Sequence, residues 1–162
     1  MSPRFASDHE PWDEARGAEI ISEHINHEGA TLVILHAMQD AFGYVPGPAI
    51  VMIASALNLS RAEVFGVITF YHDFRREPAG VHVLKLCRAE ACQAAGCDAL
   101  VARAEARLGI GIGETTADAR VTLEPVYCLG LCATAPSAML DGRLVGRLDA
   151  ARIDALLGEA QQ

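Results

Sequence analysis

Lysine is almost absent from this chain of 162 residues: Lys85 is the only one. With a formal net charge of −8, the clustered cations that track a phosphate backbone are missing, and no nucleic-acid partner is expected. Long apolar runs are missing too. The longest, such as Ala49 to Leu57, fall well short of a membrane span, so direct membrane insertion is not expected. Residues 2 to 19 are acidic and polar without an apolar h-region, which predicts no signal peptide and a cytoplasmic address. There is no Gly-x-Gly-x-x-Gly fingerprint and no nucleophile–base set, so no catalytic, substrate-converting residue is expected on this chain. Repeats and low-complexity segments are lacking as well. Half of the residues are apolar, which suits one globular domain or two small ones.

What the chain does have is cysteine, and all five lie between Cys87 and Cys132. Four form two close pairs, Cys87-Arg-Ala-Glu-Ala-Cys92 and Cys128-Leu-Gly-Leu-Cys132. An odd count in a chain without a secretion signal suits metal or redox chemistry better than a disulfide framework. Each pair presents two thiolates from one loop, and folding can bring the loops together into a four-sulfur site. Such a set suits either one tetrahedral Zn²⁺ or a [2Fe–2S] cluster in which each iron takes two cysteines. The spacing matches neither the plant-ferredoxin pattern nor the tight pairs of zinc ribbons, and it leaves both readings open. Thioredoxin-type dithiol chemistry uses a two-residue spacer and is not expected. Cys97 falls on the apolar side of its helix and is read as core.

Residues 1–14 read as a mobile tail, and residues 15–76 as a helical bundle. The first helix, near 15–28, carries Ile20, Ile21 and Ile25 on one face and stops at Gly29. The second, near 30–42, has Leu32, Leu35, His36 and Gln39 close to helical spacing. The third, near 47–57, is apolar almost all round and is expected at the centre. The fourth opens with Ser60-x-x-Glu63, a capping box in which each side chain satisfies the other residue's backbone N–H. None is long enough to be stable alone, so they must pack together. The stretch Ala49–Phe70 also has the outline of a DNA-binding helix-turn-helix. Its second helix offers Arg61 but also Glu63 and an apolar row, a poor surface for phosphate. His24 and His27 sit three apart, yet no further ligand accompanies them, so a solvated or capping role is expected. His72 is read as supporting the end of the fourth helix.

Arg75 to Gly80 breaks the helical pattern, and residues 81–158 read as a second domain. Val81–Leu86 reads as a strand with apolar residues on both faces, hence central and covered on each side. A helix carrying Cys97, Leu100, Val101, Ala104 and Leu108 stops at Gly109. A strand over Val121–Tyr127 contains Pro125, which lacks a donor and suits a strand end or sheet edge. Asp141-Gly142 predicts a hairpin between Ala138–Leu140 and Arg143–Val145. Asp149 caps a last helix that Gly158 stops. The order β-α-β-β-β-α gives an α+β class, with both cysteine pairs following neighbouring strands at one sheet edge. Gly130 lets its loop take positive φ and bring a backbone N–H close to sulfur. Ala133, Ala135 and Pro136 are placed to brace that loop, and Arg88 to offset negative charge.

The run Val83-Leu-Lys-Leu-Cys-Arg-Ala-Glu-Ala-Cys92, with Glu124-Pro-Val-Tyr-Cys-Leu-Gly-Leu-Cys-Ala-Thr-Ala-Pro-Ser137, resembles the thioredoxin-like [2Fe–2S] ferredoxin family. That family includes the E-type subunit of respiratory NADH dehydrogenase, its counterpart in bidirectional hydrogenases and the gamma subunit of NAD-dependent formate dehydrogenases. Leu59 to Arg75 is similar to the same family, and its Thr-Phe-Tyr-His-Asp-Phe-Arg ending resembles the formate dehydrogenase branch most. The resemblance implies a helical bundle followed by a thioredoxin-like [2Fe–2S] domain. By position it makes Cys87, Cys92, Cys128 and Cys132 the ligands of one [2Fe–2S] cluster and leaves Cys97 outside the set. It further implies electron transfer within an NAD-linked complex, with FMN and NAD on a partner subunit. In the formate dehydrogenase branch, further Fe–S groups and a molybdenum centre belong to another chain. The equivalent subunit of an NADH–quinone or bidirectional hydrogenase complex is the second expectation. A zinc-containing helix-turn-helix regulator is the alternative from another class.

Overall fold

The computed structural model describes residues 9–162, which divide into two compact units between Pro78 and Ala79. The first unit holds four helices: α1 (Glu14–His24), α2 (Ala30–Phe42), α3 (Gly47–Leu57) and α4 (Arg61–Phe70). Asp13 caps α1 by accepting from the Arg16 N–H. The box that opens α4 is closed on both sides. Ser60 N–H donates to Glu63 Oε2 at 2.8 Å, and Glu63 N–H donates to Ser60 Oγ at 3.2 Å.

The expected tail over residues 1–14 falls, for residues 1–8, outside the described residues. Residues 9–13 are anchored instead of free. Glu10 N–H donates to Ala41 O at 2.9 Å, and Trp12 meets Phe42 edge-on with ring centroids 5.0 Å apart. α1 stops at His24, short of the expected residue 28, and Ile25 leaves the core face. A turn closed by His27 N–H on His24 O follows, and Gly29, at φ 67°, begins α2 rather than ending α1.

α3 touches all three other helices, as expected of a central one, but α2 carries more of the buried side chains. Ile34, Met38 and Phe42 recur every fourth residue and, with Leu35, are buried. The buried positions of α3 are Ala49, Ile53 and Ala54, mostly small, and Val51 is 49% exposed. The α2 stripe also turns away from the expected one. His36 is exposed against the ring of Phe74. Gln39 holds the chain after α4, donating to Asp73 O and accepting from Arg75 N–H, each at 2.7 Å.

The second unit runs β1 (His82–Cys87), α5 (Glu90–Ala94), α6 (Cys97–Leu108), β2 (Val121–Val126), β3 (Ala138–Leu140), β4 (Arg143–Val145) and α7 (Ala150–Ala160). The sheet order is β2-β1-β3-β4, with β1 parallel to β2 and antiparallel to β3. Asp141 and Gly142 both take positive φ, 49° and 82°, as a two-residue hairpin between β3 and β4 requires. Pro125 lies in β2, an edge strand, where its missing donor is tolerated.

Leu84, Leu86, Val121 and Leu123 close one core with Val101 and Ala104 of α6 and Ile153 and Leu157 of α7. The expectation that β1 is apolar on both faces is corrected here. Lys85 shares the opposite face with Val83 and pairs with Glu124 across the β1–β2 ladder at 3.3 Å. α7 also outruns its expected stop, continuing through Gly158 because Leu157 and Ala160 are buried on either side of it. Packing there outweighs the ~1 kcal/mol that a mid-helix glycine costs. Among the described residues no helix is long and apolar enough to cross a membrane.

Candidate metal centre

Parallel strands end at the same sheet edge, and β1 and β2 are paired so that Cys87 lies opposite Val126. Cys87 is the last residue of β1, while Cys128 comes two residues beyond β2. Arg88 N–H donates to Val126 O at 2.8 Å and Cys87 N–H to Ser137 O at 3.0 Å, so the start of each loop is tied down. Cys92 does not sit on an open loop. It lies on α5, a short helix that the cysteine spacing did not reveal, although Ala89-Glu90-Ala91 carries the signal of good helix formers with an acid in the first turn.

The second loop bends more sharply. Cys128 takes φ 99° and Gly130 takes φ 76°. A non-glycine residue at such an angle is strained, and strain of this kind collects at functional sites. Gly130 N–H donates to Cys128 Sγ at 3.4 Å, the close approach expected of that glycine. A 3₁₀ turn over Cys132–Thr134 follows, then the cis Ala135–Pro136 peptide. Pro136 is buried and Ala135 packs on the cysteines, whereas Ala133 is exposed. Sequence reasoning missed two residues here. The buried Ser137 places its hydroxyl 3.6 Å from Cys92 Sγ. Gly146 makes room for Thr134, whose Oγ1 would lie 2.5 Å from an added Cβ.

The two pairs differ in surroundings. Cys87 and Cys92 are buried among Ala89, Val126, Leu129 and Ala135, while Cys128 and Cys132 are exposed. Burial pushes the Cys87 thiol up. Hydrogen bonds from Ala89 N–H, the Cys92 thiol and the N–H groups of Cys128 and Leu129 together bring it below its ordinary value. Cys132 is pushed up, first by its hydrogen bond to Cys128 and then by the charges of Cys128 and Cys92. Cys97 is buried too, and its thiol is raised by that burial and by Asp98, which marks an inert core thiol.

This donor set fits an iron–sulfur group. Cys128 Sγ and Cys132 Sγ are 3.9 Å apart, near the ~3.8 Å edge of a tetrahedron with ~2.3 Å metal–sulfur bonds. Among the described residues no three metal-capable side chains converge on one point. His24 and His27 face each other with ring centroids 5.4 Å apart and gather no third ligand among those residues. His72 is exposed on the turn after α4.

Residues 17–161 match the family described as thioredoxin-like [2Fe–2S] ferredoxin. The chain belongs to that family. Its members carry one [2Fe–2S] cluster, which decides between the iron and zinc readings of the sequence. The chain is 40% identical over 132 residues to a second E-type subunit of NADH-quinone oxidoreductase from Rhizobium meliloti (strain 1021), covering 82% of this chain and 79% of that one. It is 41% identical over 112 residues to the E-type subunit of NADH-quinone oxidoreductase from Pseudomonas aeruginosa, covering 69% and 68%. It is 32% identical over 132 residues to the HndA subunit of the NADP-reducing hydrogenase of Solidesulfovibrio fructosivorans, covering 82% and 77%. Among solved structures, air-oxidized NAD+-reducing [NiFe]-hydrogenase is similar at a TM-score of 0.68 and 33% identity. That likeness covers 81% of this chain but only 22% of the hydrogenase chain.

Proposed function

We propose that the chain is an electron-transfer subunit holding one [2Fe–2S] cluster on Cys87, Cys92, Cys128 and Cys132, within an NAD-linked, flavin-containing oxidoreductase complex. One observation carries this reading: two cysteine loops start from the common end of two parallel strands, where Arg88 N–H of the first donates to Val126 O at the head of the second. When bound, the cluster supplies one-electron transfer. The chain's own residues hold it and set its surroundings. Val126, Leu129 and Ala135 keep water from the Cys87/Cys92 side, and the exposed Cys128/Cys132 side stays open to exchange with a partner. Backbone donors at sulfur stabilise negative charge and so favour the reduced form.

At the finer level the chain is the gamma subunit of a molybdenum-containing, NAD-dependent formate dehydrogenase of the cytoplasm. The Thr69–Arg75 run supports that place. FMN and NAD then sit on a partner subunit, with further Fe–S groups and molybdenum on another. The named relatives favour a second reading, the equivalent place in an NADH–quinone oxidoreductase or an NAD-reducing hydrogenase.

Anaerobic purification with the native partners tests both levels. About two irons and two labile sulfides per chain, with a rhombic EPR signal on reduction, are expected. Co-purifying molybdenum supports the formate dehydrogenase place, nickel the hydrogenase place, and a membrane-bound quinone-reducing assembly the third. Zinc in place of iron, with no labile sulfide, overturns the reading at its root.

A further inference from the structure

Within the two cysteine pairs Arg88 is the only cation. Its backbone is clamped: its N–H donates to Val126 O at 2.8 Å and its C=O accepts from Gln93 Nε2 at 3.0 Å. The side chain is two-thirds buried. Its Nη2 reaches Asp98 Oδ1 at 3.3 Å, a long contact to a carboxylate that is itself 67% exposed. Its Nε is buried and finds no acceptor among the described residues. A buried donor without a partner is costly and calls for an explanation.

The guanidinium also bears on the cysteines. The Cys97 thiol is raised by burial, by Asp98 and by Cys92, and Arg88 pulls it down. Cys97 shares one apolar cluster with Cys87 and Cys92. Cys97 Sγ lies 3.9 Å from the same Asp98 Oδ1 that Arg88 Nη2 reaches. A fixed positive charge thus stands beside the cluster that holds the buried pair of proposed ligands, and the carboxylate opposing it is largely in water, where screening weakens it. Arginine suits this place because it keeps its charge at any working pH.

We propose that Arg88 raises the reduction potential of the site by holding positive charge against its Cys87/Cys92 half, with Asp98 moderating the effect. The inference rests on the cluster assignment above. Reduction adds one electron and no proton, and no bond forms or breaks, so the site simply gains one negative charge. A unit charge ~10 Å away at an effective dielectric of ~20 changes such an equilibrium about tenfold. Arg88 therefore acts through charge and not as a ligand.

The test is an EPR-monitored redox titration of the anaerobically purified protein with dithionite, iron and labile sulfide being assayed in every sample. In R88Q the equilibrium constant for reduction falls about tenfold, a midpoint ~59 mV more negative for a one-electron couple. R88K recovers most of the difference. D98N moves the other way, by a smaller factor that shrinks as salt is raised. An unchanged midpoint in R88Q with full cluster content overturns the proposal, as does a lower cluster content with the remaining clusters unshifted. If R88Q assembles no cluster, D98N decides: an upward shift supports the proposal and none overturns it. A wild-type protein without iron or sulfide would sink the function reading itself, which the same assays tell apart.

Discussion

Cys87 and Val126 are partners across two parallel strands. That pairing, more than the spacing within either cysteine pair, makes a four-sulfur site possible. β2 needs only Tyr127 beyond its last residue to deliver Cys128. Had β2 run antiparallel, its second pair would emerge at the far edge of the sheet, about five residues or ~17 Å away.

Alanine at Cys87, Cys92, Cys128 or Cys132 is accordingly expected to abolish the visible chromophore and most of the bound iron. C97A keeps a full complement and loses about 1 kcal/mol through a small cavity at a buried site. Visible spectra and iron assays on the five variants check this. A C97A protein as iron-poor as C87A would show that the ligand set is wrong.

Two glycines beside the second loop separate strain from collision. Gly130 has positive φ and open space around its missing Cβ, so G130A costs only the backbone term, about 1 kcal/mol. At Gly146 an added Cβ would lie 2.5 Å from Thr134 Oγ1 and 3.0 Å from Thr134 O, which accepts from Arg147 N–H. Thr134 belongs to the 3₁₀ turn that starts at Cys132. G146A should therefore cost more, about 1–3 kcal/mol, and also lower iron content. Thermal melts and iron assays on both variants give the order, and a reversed order refutes the packing argument.

These particulars show what was legible beforehand. Ser60/Glu63, Asp141-Gly142, Asp149 and the strand-then-cysteine order could be read because each depends on chemistry within a few residues. The deep burial of α2, the polar second face of β1 and the run of α7 through Gly158 could not, because partners distant in sequence decide them. Apolar composition suggested α3 as the centre, whereas the spacing of Ile34, Met38 and Phe42 gave α2 the longer buried side chains. Around the cysteines the sequence showed that each pair follows a strand but not the unequal burial of the two pairs. Ser137 and Gly146 are brought to the second loop by the hairpin and had no signal of their own.

Asp154 joins α7 to α6. It accepts from Arg103 Nε at 2.8 Å and Nη2 at 2.7 Å, and Arg107 Nη1 lies 3.5 Å away. The hydrogen bond from Arg103 holds its carboxyl below the ordinary value; partial burial opposes this, and both arginine charges assist it. A depressed folded-state value means that this contribution is present above the unfolded value, near ~4, and is lost as pH falls through the folded one. Wild-type protein and D154N should differ in urea midpoint by a constant small amount from about pH 7 to 5, and the gap should close in stronger acid. A gap independent of pH would remove the carboxylate charge from the account.

Removing the metal should affect one unit and spare the other. A domain of under about 80 residues rarely draws more than ~3–5 kcal/mol from its core, and the second unit is close to that size. Structural metal sites contribute on the order of 10 kcal/mol. Within this unit Cys128 is held at φ 99° and two thiols lie exposed, an arrangement that gains little from packing alone. After anaerobic chelation of iron, residues 126–136 and 88–96 should lose amide protection first, and the melting transition of the second unit should fall by more than about 10 °C. α1 to α4, whose core holds Ile34, Leu35 and Met38 and no cysteine, should keep their protection. Hydrogen exchange resolved by segment, with near-UV CD alongside, makes the comparison. Equal protection in the two preparations would mean that the sheet holds the loops unaided and that the cluster is a passenger on a finished fold.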